Sequence, residues 1–156
     1  MRYFRPMILA LSMGLASAVA AAPGDIDNLY GMKTFAFDAE PFGVDSAAAT
    51  VVAPNGDAVV VASVGDENGI KIGLKKIRAD GTLVLEFNPG PHGVPGMSYL
   101  PRAATYTSEG VLVVGTVYSE DFDSFDGFVC RFRFSDGMLD TTFGDKLHDA
   151  LPGCTS

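Results

Sequence analysis

The nonapeptide DGMLDTTFG, Asp136 to Gly144, decides how this chain is read, because weaker copies of it recur upstream at nearly constant distance. The second copy is DGTLVLEFN, Asp80 to Asn88, and the first is the eroded GDIDNLYG, Gly24 to Gly31. With Tyr30, Phe87 and Phe143 superposed, the spacings are 57 and 56 residues. A period of that length marks a stacked repeat, in which each unit buries its apolar face against a neighbour. The residue types in the motif fit a packed corner. Asp-Gly offers a turn with positive φ, Leu139 and its counterparts Leu83 and Ile26 point to a core, and Phe143, Phe87 and Tyr30 add an aromatic anchor. Gly31 and Gly144 let the chain turn away, whereas Asn88 stands there in the middle copy. These are packing roles and not catalytic ones.

Outward from the motif, each unit reads as short strands joined by turns. Met32 to Asp38, MKTFAFD, alternates Phe35 and Phe37 with polar or small residues. After the loop AEPFGVD, Ala48 to Pro54 and Ala58 to Val64 flank Asn55-Gly56, a hairpin signal because both turn residues tolerate positive φ. The turn GDENG leads to IKIGLKKI, Ile70 to Ile77, with Ile70, Ile72 and Leu74 on one face and Lys71 and Lys75 on the other. Asp80-Gly81 then turns into a fourth run, TLVLEF. The second unit repeats the order: AATYT (Ala103 to Thr107) matches AATVV, Glu109-Gly110 replaces Asn55-Gly56, and Val111 to Thr116 matches Ala58 to Ser63. FVCRFRF follows, with Phe128, Cys130, Phe132 and Phe134 alternating onto one apolar face and Arg131 at the place of Lys75. No helical period appears beyond the N-terminal segment, so the expected fold is all-β and antiparallel. The units run over about residues 25–80 and 81–136, with a partial repeat over 137–156.

DGMLDTTFG resembles the closing motif of the delta-60 repeat, a bacterial β-propeller-type repeat of unknown function, whose form is approximately DGSLDTSFG. APNGDAVVVAS, Ala53 to Ser63, is similar to that family's preceding hairpin, with Ala62 where Gly is common and Gly115 keeping that Gly in the second unit. The resemblance implies propeller-blade-like units. Closed propellers need about four blades or more, and two units cannot close a ring. The chain is therefore expected either to associate with copies of itself or to fold into a two-sheet sandwich. A degenerate piece of a longer array is a third reading.

The N-terminus has the pattern of a secretory signal peptide over about 1–21, leaving a single β-repeat domain over 22–156. Arg2 and Arg5 precede the apolar run Met7 to Leu15 and the small residues Ala16 to Ala22. That run is shorter than the roughly 20 residues of a membrane span. The expected location is thus secreted or periplasmic. Loss of Arg2 and Arg5 with the leader takes the formal net charge from −8 to −10, a surface that repels phosphate backbones and anionic lipid. Neither nucleic acid nor a membrane is an expected partner. Cys130 and Cys154 can be bridged in an oxidising compartment; otherwise Cys130 is a small buried core residue.

Chemistry is thinly signalled. Asp121, Asp123 and Asp126 precede Gly127 in the loop YSEDFDSFDG, and oxygen ligands in a flexible loop suit Ca²⁺. The spacing misses the EF-hand register, and a solvated turn is the alternative. Phe122 and Phe125 sit in that same polar loop, where burial is hard and partner contact plausible. His92 and His148 have no metal-ligand spacing to another His or Cys, and no nucleophile-elbow, zincin, P-loop or CxxC string occurs. Gly90, Gly93 and Gly96 lack the following helix that phosphate binding needs. No catalytic or cofactor-binding residue is assigned. The sequence favours an exported, non-enzymatic module that binds a protein or glycan or assembles with itself; the alternative is a carboxylate-based hydrolase or lyase on the same scaffold.

Overall fold

The computed structural model describes Phe37 and residues 45–87, 89–119, 125–144 and 153–155. The leader, the first motif copy, the MKTFAFD run apart from Phe37, and Asp121, Phe122, Asp123 and His148 lie outside the described residues.

The protein is all-β. Strands β1 (Asp45–Val52), β2 (Ala58–Asp66) and β3 (Gly69–Ile77) form one antiparallel sheet in that order. Strands β4 (Met97–Thr107), β5 (Gly110–Ser119), β6 (Phe125–Phe132) and the short β7 (Cys154–Thr155) form a second. The turns arise where the sequence places Gly after an acid or amide: Gly56, Gly81 and Gly137 have φ of 86°, 81° and 77°, a region that costs most residues but not glycine.

The two units share finer features. Each first strand carries a bulge, at Ala47/Ala49 in β1 and at Pro101/Ala103 in β4. Each third strand is closed by the motif leucine, with Ile77 bridged to Leu83 and Phe132 to Leu139. Val84 donates its amide to Lys76 O at 2.9 Å and Asp140 donates to Arg131 O at 2.8 Å. Arg131 therefore corresponds to Lys76, one residue beyond Lys75, the position that matching by residue type assigns it. The reason is a turn of different length: Arg78 bonds Thr82 across the first closing turn, whereas Arg133 bonds Met138 across the second, which holds one residue more. TLVLEF differs too. It makes a single bridge and then turns, with the Phe87 amide bonded back to Val84 O at 3.1 Å and Leu85 exposed, so each closing motif is a corner and no full strand.

Counting from Arg131 and Lys76 along the ladders, Val61 paired with Leu74 corresponds to Val114 paired with Val129, and Val59 to Leu112. The core is built from Val59, Val61, Ile72 and Leu74 of the first sheet and Val111, Val113, Phe128, Cys130 and Phe132 of the second. These are opposite faces of the repeat. The two sheets thus meet through non-equivalent faces.

Corner packing joins the units. Phe87 is 1% exposed and lies against Gly137, where a Cβ would stand 2.8 Å from its ring, so the second motif needs Gly there for close approach as well as for the turn. Lys76 reaches across to the second unit, its Nζ 3.9 Å from the centroid of Phe134, 3.3 Å from Phe134 O and 3.5 Å from Asp57 Oδ2. On the far side of the first sheet, Phe37 packs on Ala62 and Val64, held by its amide donating to Asp45 Oδ2 at 2.9 Å. Cys130 and Cys154 are disulfide-bonded, S–S 1.98 Å, on directly paired residues of β6 and β7.

Candidate functional site: the outer face of the second sheet

Alternation along β5 and β6 sends Leu112, Val114, Tyr118, Val129, Phe125 and Arg131 to the side of the sheet away from the core. Val114, in the middle row, is 39% exposed, while its counterpart Val61 is fully buried. Leu112 and Val129 are half-buried. At one end Phe125, 62% exposed, stacks on Tyr118 with ring centroids 5.5 Å apart. The cross-strand pair brings these rings together because Tyr118 and Phe125 are direct partners in the ladder.

At the other end sits Arg131. Its guanidinium bonds Asp140 Oδ2 at 2.8 Å and the Glu109 carboxylate, and lies 4.9 Å from the centroid of the Phe143 ring. Asp140 is oriented in turn by its own loop, accepting from Thr142 Oγ1 at 2.6 Å and from the Thr142 amide at 3.0 Å. Those hydrogen bonds, with Arg131 beside them, hold the Asp140 carboxyl below the usual carboxylate value. Arg131 is thereby committed to fixing the closing motif. The Asp-x-Thr spacing from Asp140 is the signal that could have revealed this Asx-turn in the sequence.

In β5 and β6 the central rows, Val114–Val129 and Thr116–Gly127, carry no charge in a chain with 19 acids; exposed Arg102 stands beside them at the β4 bulge, between the partners of Gly115 and Val114. Depletion of charge around exposed aliphatic and aromatic groups is the composition of an interface centre. Phe125 belongs to this face. Asp126, its neighbour, is exposed and pairs with Val117 on the opposite side of the ladder. Among the described residues no group of three or more His, Cys, Asp or Glu is placed to hold a metal.

His92 has a different environment from the exposed loop that its surroundings in sequence suggest. Its backbone bridges Ile72 through two 2.8 Å hydrogen bonds, its ring lies 5.1 Å from that of Phe132, and Nε2 is 3.2 Å from Gly137 O. Burial pushes its pKa below the ordinary histidine value, the hydrogen bond to Gly137 opposing this in part. His92 is inter-unit packing. A shallow open groove of about 430 Å³ runs between β1 and β4, lined by Thr50 to Pro54 and Ala104 to Tyr106. It contains neither a carboxylate nor an imidazole, so it offers no acid–base pair for hydrolysis.

No protein-family model, curated protein or solved structure matches this chain.

Proposed function

We propose that the chain is an exported, non-enzymatic β-repeat module of the propeller-blade type that the delta-60 resemblance implies, and that it works by protein binding through the outer face of its second sheet. The contrast between Val61 and Val114 carries this reading. The same position of the repeat is sealed in the first unit by the second, and is left at 39% exposure in the second. A repeat face that keeps its apolar rows without a neighbour is an interaction surface. An apolar pair of strands ending in the stacked Tyr118 and exposed Phe125 suits a protein partner, since aromatic side chains are the usual anchors of such interfaces.

The test compares Val114→Lys with Val61→Lys in dilute solution, following thermal unfolding. Val114→Lys is expected to leave the melting temperature within about 2 °C of the parent, as surface substitutions do, while Val61→Lys abolishes folding. Equal damage from the two would mean that the chain itself covers Val114, and the surface reading would fall.

A further inference from the structure

We infer that the partner of this face is a second copy of the chain, seated on it isologously about a two-fold axis that passes near Val114. The inference rests on the surface reading above and goes on to identify the occupant.

The inter-unit interface already present in the molecule says what shape this face complements. Val59, Val61 and Leu74 of the first sheet are covered by a repeat unit of this same chain, and Leu112, Val114 and Val129 are their counterparts. A surface built on that pattern accepts another unit of the repeat, and a second copy supplies one. The second copy could offer either of two ends. Its first sheet presents the side carrying Ala58, Ala62, Val64 and Ile77, but these are 8%, 0%, 1% and 6% exposed, with Phe37 packed over Ala62 and Val64. Phe37 thus caps that end over Ala62 and Val64, and half-buried Val60 lies beside the half-buried Lys71 and Lys75, so among the described residues it is a more covered acceptor for head-to-tail growth than the Val114 face. The less covered end is the equivalent outer face of the other copy. Pairing like with like produces a closed dimer, the commonest symmetry of soluble oligomers.

Charge points the same way. Two molecules that each carry a formal charge of −8 repel at long range, and like charges directly opposed would prevent an isologous contact. The β5 and β6 rows at the centre place none there: across a two-fold axis Val114, Thr116 and Val129 of one copy meet the same residues of the other, with exposed Arg102 at the β4 bulge beside them. At the Arg131 end one guanidinium is shared by the Glu109 and Asp140 carboxylates, so a single net negative charge stands there, at the margin of the face.

The deciding measurement is the mass of the full chain, expressed with its own N-terminal segment and purified, by light scattering and sedimentation equilibrium across a wide concentration range. A monomer–dimer equilibrium with no larger species is expected. Val114→Lys and Val114→Glu should each be monomeric, because each sets two like charges face to face, and mixing them should restore a dimer containing one of each. Thr116→Arg, a half-buried position on the same face, serves as a second disrupting variant should either Val114 variant fail to fold. A monomer at every concentration, an open-ended series of oligomers, or a dimer indifferent to all of these substitutions would overturn the inference. A monomeric parent whose Val114→Lys variant melts normally would reject self-pairing while leaving the free surface intact, so the two readings fail separately.

Discussion

Replacing Val61 and Val114 by alanine, one at a time, tests the register on which the stacking of the units depends. Both residues occupy the same position of the repeat, in matched ladders beside Leu74 and Val129. Both substitutions remove the same two methyl groups. Val61 has no exposed surface, so its truncation loses about 1.6 kcal/mol of transfer free energy at about 0.8 kcal/mol per carbon. A residual cavity of roughly 40 Å³ would add about 1 kcal/mol. The sum is about 2.5 kcal/mol. Val114 is 39% exposed, opens no enclosed cavity, and should lose under about 1 kcal/mol. With a urea slope of about 1.5 kcal/mol/M, the midpoint falls by about 1.7 M for Val61→Ala and by no more than about 0.7 M for Val114→Ala. Urea unfolding followed by circular dichroism in dilute solution resolves that difference. Equal shifts would refute the argument, because they would place both valines in the same environment and undo the opposite-face stacking of the sheets.

Three further outcomes follow from the same contacts. Cys154→Ser releases β7 from β6; the bridge spans 24 residues, so its loss should lower the unfolding free energy by about 3.5 kcal/mol on the chain-entropy model, and reductant should have no further effect on the variant. The Asp140 carboxyl is held below its ordinary value of 3.8 by the Thr142 hydroxyl and amide and by Arg131, so the stability it contributes is present above pH 3.8 and is lost as the pH falls through its lowered folded-state pKa. Asp140→Asn keeps the Asx-turn and should therefore show a flatter acid limb in melting temperature against pH; an unchanged limb would remove Asp140 from the account. His92 is depressed below 6.5 chiefly by burial. The unfolded chain takes up the proton first, so the stability that His92 contributes is present above pH 6.5 and is lost as the pH falls through its lowered folded-state value. His92→Phe should abolish that component of the pH dependence between neutral and mildly acidic conditions, and persistence of the full loss in the variant would assign it to other groups.

Much of the fold was legible because its signals are local. Asn55-Gly56 announced the β1–β2 hairpin, the alternation of Phe128, Cys130 and Phe132 announced the buried side of β6, and Asp80-Gly81 and Asp136-Gly137 announced the closing turns. The correspondence of Arg131 with Lys76 was not legible, since one added residue in the closing turn is invisible to matching by residue type but shifts by one, and so moves to the other face, each β-strand position counted back from the motif. Of the candidate site, Phe125 was named from its polar surroundings. Leu112, Val114 and Val129 were not, because a valine in a strand reads as core whichever side of the sheet it faces.

Local chemistry thus determined the strands, the turns, the period and the corner residues of this protein, each set by φ preferences and by the alternation of a single strand. Which face of each sheet is covered was decided only by the tertiary structure, through the way one unit packs on the next. That choice depends on contacts between residues far apart in the chain, and it is what buries Val61 and exposes Val114.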